Sequence, residues 1–519
     1  MKTYTVSAKV DYQDIRSVLS EKRSRTVITF LSLAGMMLLP VALSYFYFIG
    51  QGLRLDESQS IWQVSRSLPD IFAVVASDVH VPLYHTLLHF WLLCIGDNVF
   101  VARSMSLLFY LISIPSLYFL GKRAFNHTVG LFAAFLFSIS PFMNWYGNEV
   151  RMYTLLTLLV VLNQYFFVRI FKDVDVSEHV WVWYTLTGLL GVFSHYFFFL
   201  NLTSQAVFYF LRYDLFPTGS LRRFVLSATV IGGAFTPWAW YVLHLGQAGF
   251  SEPSLATPTS VDLFSTFSQF LFGFQNDNLN TVLLSLWPIT VIFGLFTLRR
   301  GKRVEETEYF LTTILVSFVI AFIVSFTISP VFVSRYLIFT IPSLYLLLAS
   351  LFSHYSPRFS TVAHCSLVGL MLLTLWIEMV NPTTPVKENY KEASLYLNSH
   401  VTAQDVVVLS APFTVYPIEY YYRGTASIMT LPIWNQYTHG AIPTFSPNAL
   451  PGEVLQVTRS SQNVYLLLSY NQGYEKNIKN YFEDHFQRLY TQTFSNDLTL
   501  YVYKLRYDTG VSAISTTLN

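Results

Sequence analysis

The sequence predicts a mostly α-helical, polytopic membrane protein that ends in a small soluble α/β domain, and three observations carry that prediction. Only 12% of the residues are charged, against 53% hydrophobic and 17% aromatic, far from the roughly 25% charged of an ordinary soluble domain. Apolar runs of about 18 residues or more, each long enough to cross a bilayer, recur up to residue 380. From Asn381 onward the composition turns polar and mixed.

The same numbers exclude other classes. A net charge of +2 is too small for a strongly basic nucleic-acid binder. The two cysteines, Cys94 and Cys365, lie in apolar surroundings and read as packing residues, neither a disulfide framework nor a metal cluster. Residues 1–26 form a polar, basic lead, and the apolar run that follows is too long for a signal peptide and has no small-residue cleavage site, so it reads as an anchor.

Taken in order, spans are expected near 27–50, 99–121, 129–146, 152–170, 180–196, 197–214, 225–246, 280–298, 308–328, 336–353 and 361–380, about eleven crossings. Lys2, Lys9, Arg16, Lys22, Arg23 and Arg25 precede the first span, and Lys122/Arg123, Arg169/Lys172, Arg212/Arg222/Arg223, Arg299/Arg300/Lys302/Arg303 and Arg358 fall in alternate loops. The positive-inside rule places all of these in the cytoplasm. Residues 81–96, VPLYHTLLHFWLLCIG, are apolar but short and contain His85 and His89. A crossing there would put every later basic cluster outside, so the segment is read as an interfacial helix, preceded by an amphipathic one around Glu57 to Leu68.

With the cytoplasmic clusters set aside, the basic residues on the outer side of the membrane domain are Arg54, Arg66, Arg103, Arg151 and Arg335, all arginine. A guanidinium fork binds phosphate at two points where an ammonium does not. An outward-facing cavity lined with arginine therefore suits an anionic lipid head group, although any one of them can instead snorkel to ordinary phospholipid. Glu149 and Arg151 sit in SPFMNWYGNEVRMYTLL, between two apolar runs, where charge is costly and is a functional candidate by default; the plain alternative is an ion pair that anchors a hairpin. Asp56 and Glu57 follow the first span, where adjacent acids can simply cap a helix. What favours function is that Asp56/Glu57, His80-Val81-Pro82-Leu83-Tyr84 and Glu149/Arg151 all fall on one side of one membrane.

The loop from Gly246 to Asn280, with Pro253 and Pro258, is expected to be either a lid or a plain connector, and His195 and Tyr196 to end a helix. In the region 381–519, VVVLSA at 406–411, NVYLLLSY at 463–470 and DLTLYVYKL at 497–505 read as strands, with helical patterns around 387–397 and 475–486. No glycine-rich phosphate loop is present there.

LRLDES, HVPLYHTLLHFW, ARSMSLLFYLISIPSLYFLGKRAF, SPFMNWYGNEVRMYTLL and SRYLIFTIPSLYLLLA resemble the GT-C glycosyltransferases related to protein O-mannosyltransferases and lipid A aminoarabinose transferases, over roughly residues 25–355. The resemblance implies a GT-C catalytic domain over 27–380, in the plasma (inner) membrane, with its site and the domain 381–519 extracytoplasmic. It implies catalytic roles for Asp56, its neighbour Glu57 and the second-loop acid Glu149. His80 and Pro82 stand in the His-Pro-Pro-type turn, with Val81 where the family has proline, and Gly147-Asn148-Glu149-Val150-Arg151 replaces the commoner Ser-Gln-Glu-Ala-Arg.

The reaction so implied takes a sugar from a polyprenyl-phosphate carrier and places it on a glycan, lipid or protein acceptor. A phosphate leaving group departs without a proton, so one base suffices, and Asp56 is expected to be it. Arg151, Arg335 and Arg103 are expected to stabilise the departing phosphate, with His80, Pro82, Tyr84, Tyr146 and Tyr336 completing the substrate-binding set and Glu149 orienting Arg151. No cofactor is required; Asp56 and Glu149 offer hard oxygen ligands that suit Mg²⁺ or Mn²⁺. A lipid-linked polysaccharide polymerase, flippase or transporter is the alternative, and a structural or sensory membrane protein the third; charges gathered at the membrane edge rather than the midplane favour the transferase.

Overall fold

The structure is a computed structural model that describes residues 12–78, 80–245, 257–285, 305–352, 355–381, 388–437, 442–459 and 461–505. Helix α1 (Tyr12–Gly50) leads into two short helices, α2 (Leu55–Val64) and α3 (Leu68–Ser77), and then α4 (Pro82–Ile95). The bundle continues through α5 (Val99–Ala124), α6 (His127–Ile139), α7 (Pro141–Gly147), α8 (Tyr153–Lys172), α9 (Glu178–Val192), α10 (Phe198–Leu211) and α11 (Ser220–Leu245). After these come α12 (Ser260–Phe272), α13 (Asp277–Ser285), α14 (Glu305–Thr327), a 3₁₀ turn over Ser334–Thr340, α15 (Ile341–Phe352) and α16 (Pro357–Val380).

Among the described residues, six helices are long and apolar enough to cross a membrane, or seven if the bent pair α6 and α7 counts as one. The expectation of about eleven crossings is therefore met only in part. At 15 and 14 residues, α9 and α10 are about 21–23 Å long by helical rise, short of a hydrocarbon core of about 30 Å. The span expected at 280–298 lies mostly outside the described residues. The 62° bend between α6 and α7 sits at Ser140-Pro141, where proline has no amide hydrogen to bond back into α6; the Ser140 hydroxyl caps α7 by accepting from the Met143 amide at 3.2 Å.

Close packing is visible where α5 crosses α6. A methyl at Gly121 would come within 2.6 Å of the Gly130 Cα, so both positions must lack a side chain for these backbones to meet. In the interval 246–280, residues 246–256 lie outside the described residues, and much of the rest is the capped helix α12 and the start of α13. Cys94 and Cys365, expected to be packing residues, are exposed on α4 and α16.

Both ends of α4 lie at one end of the bundle. His80, before it, meets Arg151, and Asp97, after it, accepts a hydrogen bond from Tyr420 at 3.5 Å. Its 14 residues thus run across that end and not through the bundle, as expected for an interfacial helix.

The C-terminal domain holds α17 (Tyr390–His400), β1 (Val406–Ser410), α18 (Val415–Tyr421), β2 (Ser427–Thr430), α19 (Leu450–Thr458), β3 (Asn463–Ser469), α20 (Glu475–His485), β4 (Gln487–Ser495) and β5 (Leu498–Lys504). The sheet order is β2-β1-β3-β5-β4, with β1 parallel to β2 and β3, and β5 antiparallel to β3 and β4. The strands expected from sequence are β1, β3 and β5. The short β2 and the largely exposed edge strand β4 carry no long β-branched run to announce them. Leu55 and Trp62 of α2 pack into one of this domain's apolar clusters, so α2 is clamped between bundle and domain.

Candidate active site

The site is built on two turns that the fold brings together, the start of α2 and the link from α7 to α8. In the first, Glu57 turns inward with its side chain fully buried. Its two oxygens accept from Arg103 Nε at 2.7 Å and Nη2 at 2.5 Å, from the Arg54 amide at 3.0 Å and from the Val150 amide at 3.2 Å. Arg103 also donates to the carbonyls of Gln51 and Gly52, at 3.1 and 2.8 Å. This pair ties α2 to α5 and to the second turn, and both side chains are buried, with four of the five Arg103 donors already bonded within the protein. Glu57 and Arg103, expected in catalysis and at the phosphate, are engaged with each other and stand outside the residues that line the cavity described below.

The second turn is shaped by its neighbours. Gly147 is required because a Cβ there would stand 2.7 Å from the Tyr110 ring, and Tyr110 is fixed in turn by donating to the Phe137 carbonyl at 2.7 Å. Glu149 and Arg151 do not pair with each other as expected; each reaches across to α2. Glu149 meets Arg54 at 2.9 Å, and Arg151 meets Asp56 at 3.1 Å and donates to Gln59 at 3.0 Å and to His80 Nε2 at 2.8 Å. Because arginine only donates, His80 must accept through Nε2 and is a neutral imidazole. Burial lowers its pKa, which agrees with that tautomer.

Tyr84 is buried and bonded to Ser106 at 2.9 Å, and Ser106 holds the Arg151 carbonyl at 3.2 Å, so Tyr84 supports the turn from behind. Pro82 opens α4, where a missing amide hydrogen costs nothing. Tyr336 packs against His195 and Phe197 beneath Arg335. His195 itself is satisfied by the Phe197 amide at 3.0 Å.

Between these turns and the C-terminal domain lies a cavity of about 260 Å³. Arg54, Asp56, Tyr146, Glu149 and Arg335 face it from the bundle. Trp145, under the Arg54 guanidinium at 4.1 Å, and Phe274 add apolar wall, and Glu388 and Tyr470 reach in from the C-terminal side. Arg335 binds Asp56 only weakly, at 3.4 Å, and leaves 34% of its side chain exposed toward the cavity. Arg151, 4% exposed, stands behind Asp56 and does not line the cavity. The sequence places Arg54 among the outer arginines without a role of its own, and does not single out Trp145, Glu388 or Tyr470. Arg54 had a signal in its place two residues before Asp56, whereas Glu388 and Tyr470 had none.

The carboxylates differ in electrostatic setting. Burial pushes the Asp56 carboxyl up, but the charges of Arg151, Arg335 and Arg54 more than reverse this and hold it well below the usual carboxylate range. At Glu149 burial prevails, offset only in part by Arg54, and the carboxyl is raised. Asp56 is thus an ionised group whose proton affinity is suppressed by the very arginines that a bound phosphate would attract. A divalent cation fits poorly: both Asp56 oxygens face arginine, and Glu149 is met by Arg54. Among the described residues no group of three or more His, Cys, Asp and Glu is arranged to hold a metal.

Residues 79–241 match the family described as dolichyl-phosphate-mannose-protein mannosyltransferase. The apo structure of ArnT from Cupriavidus metallidurans superposes with a TM-score of 0.61 at 12% identity, over 92% of this chain and 98% of that one. This chain has the GT-C fold. ArnT bound to undecaprenyl phosphate gives a TM-score of 0.57 at 13% identity, with the same shares covered. The oligosaccharyltransferase of Archaeoglobus fulgidus, in complex with Zn and sulfate, gives 0.53 at 14% identity, over 91% of this GT-C chain and 73% of its own. No curated protein sequence matches.

Proposed function

We propose that the chain is a glycosyltransferase that moves a sugar from a polyprenyl-phosphate-linked donor to an acceptor hydroxyl on the extracytoplasmic side of the plasma (inner) membrane. The observation that carries this reading is the juxtaposition, in one cavity at one end of the bundle, of ionised Asp56 with the exposed guanidinium of Arg335 and with Arg54. The match of residues 79–241 to the mannosyltransferase family supports transferase chemistry, and the structure of ArnT with undecaprenyl phosphate supports a lipid-phosphate donor.

In this mechanism the donor phosphate enters from the membrane and takes Arg335 and Arg54. Drawing Arg335 away from Asp56 removes part of the charge that suppresses its proton affinity, so donor binding itself strengthens the base. The acceptor oxygen attacks the anomeric carbon, its proton passes to the Asp56 carboxylate, and the carbon–oxygen bond to phosphate breaks. The polyprenyl phosphate leaves with the electron pair, stabilised by the arginines. Arg151, itself held by His80, keeps Asp56 in place, and Glu149 holds Arg54.

Mass spectrometry of lipids that co-purify with the protein, together with binding of added undecaprenyl phosphate, tests the reading. A bound polyprenyl phosphate or its glycoside is expected, and its loss in R335M. A protein that carries only bulk phospholipid and ignores added undecaprenyl phosphate would remove the donor assignment.

A further inference from the structure

The cavity has a third acid that the mechanism above leaves unused. Glu388 lies at the entrance to the C-terminal domain, two residues before α17, yet its side chain reaches back to the catalytic turn. There one oxygen accepts from the Leu55 amide at 3.2 Å, and the other accepts a short hydrogen bond from the Tyr470 hydroxyl. Tyr470 follows β3 with φ +58°, in the left-handed region that a bulky side chain avoids, and such local strain is retained where surroundings impose it and clusters at functional sites. Its amide is held by Asp497 at 3.3 Å and its ring by Phe413 at 5.6 Å between centroids, so the hydroxyl is fixed over the cavity. A second tether, the Tyr421 hydroxyl accepting from the Leu53 amide at 2.8 Å, keeps this domain in register with the loop before Asp56.

The chemistry of this wall is the opposite of the arginine wall. The Glu388 carboxylate repels phosphate and the Tyr470 proton is spent on Glu388, so the pair offers oxygen lone pairs to a hydroxyl, and a proton as well when Glu388 is protonated. Burial pushes Glu388 up to about 7, against the opposing pull of the Tyr470 hydrogen bond, Arg54 and the Leu55 amide, so near neutrality it can play either part. The wall also stands on the side away from the bundle, whereas a lipid carrier arrives from the membrane. We propose that Glu388 and Tyr470 form the acceptor-binding wall of the active site, holding the hydroxyl-bearing end of the acceptor against Asp56, an inference that rests on the glycosyl-transfer reading. The C-terminal domain is then part of the active site and the element that selects the acceptor.

The test uses full-length wild type, E388Q, Y470F and D56N, each expressed in host membranes that lack the native copy and supply the native donor and acceptor. Three quantities are followed: glycosylated product, free sugar released when water replaces the acceptor, and binding of undecaprenyl phosphate to the purified protein. E388Q and Y470F are each expected to cut product about tenfold or more, the scale of one lost hydrogen bond to a charged group, while undecaprenyl phosphate binding stays within roughly twofold and release of free sugar continues. D56N is expected to lose product and free sugar together. Unchanged product in both E388Q and Y470F overturns the proposal, as does a parallel fall of product and free sugar, or loss of undecaprenyl phosphate binding in these variants. A wild type that neither binds undecaprenyl phosphate nor yields product or free sugar overturns the transfer reading itself, a result distinct from the others.

Discussion

The two ends of the bundle carry the same kinds of charged residue and use them differently. At the end away from the C-terminal domain, Asp173 pairs with Arg123 and with Arg169, Lys172 pairs with Glu306, and Arg212 pairs with Glu308. Apart from Glu306, which is buried, these side chains remain in partial contact with solvent; Arg123 and Asp173 are 32% and 17% exposed. At the cavity end Arg103 and Glu57 are 2% and 0% exposed, and Arg151 is 4% exposed against Asp56. A partly solvated pair is worth little because water screens it. A buried one is worth little as a pair but costs much to break, because the survivor is stranded. Desolvation, more than residue type, separates the Arg103–Glu57 pair and Arg151, which hold the two turns together, from the half-solvated pairs at the other end.

The comparison breaks most decisively at Asp56. D56N keeps the shape and removes the base, so turnover is expected to fall about 10²–10⁴-fold with carrier binding retained. Wild-type-like turnover would take Asp56 out of the base role.

At the buried structural pair, R103M strands Glu57 and is expected to cost about 3–5 kcal/mol, read as a lower thermal midpoint of the purified protein. The double variant R103M/E57M should recover much of that loss, since no charge is left unpaired. If R103M alone is silent, Arg103 is not holding Glu57.

In the cavity itself, R335K keeps the charge and loses the fork. Undecaprenyl phosphate should bind more weakly by about 1.5–3 kcal/mol. Arg66, stacked on Trp62 at 3.9 Å away from the cavity, is the control, and R66K should leave that affinity alone.

Glu388 gives the comparison a pH axis. Its carboxyl is raised from 4.5 to about 7 in the folded protein, so folding favours the protonated form. The stability it contributes is fully present below pH 4.5 and is lost as pH rises through about 7. E388Q should remove about 1–3 kcal/mol of that pH dependence, seen as a flatter midpoint-versus-pH curve than wild type. An identical slope in both proteins would mean that Glu388 titrates normally.

At the far end the smallest effect is expected. D173N breaks contacts to Arg123 and Arg169 and should cost no more than about 1 kcal/mol, shrinking further at high salt. A larger loss would show that this end is as dry as the cavity and would erase the contrast.

The sequence by itself determined the class of this protein. Long apolar runs, the switch to polar composition after Val380 and the sidedness of the basic clusters are properties of local composition, and they survive without any knowledge of contacts. The same holds for the choice of Asp56, Glu149 and Arg335 as candidates, because charge beside apolar runs is costly wherever it packs. Partner choice was different. Arg103 and Arg335 look alike in sequence, yet one is buried against Glu57 and two carbonyls and the other opens onto the cavity. Glu149 and Arg151, two positions apart in the chain, point to different partners at the start of α2, Arg54 and Asp56, because the turn that holds them splays their side chains. Glu388 and Tyr470 lie 82 positions apart in the chain, and Glu388 lies 333 positions from Leu55, separations at which no local pattern can register. Only the docking of the C-terminal domain onto α2 brings them to the cavity, since which charges end up desolvated, and against whom, is decided by packing over the whole chain.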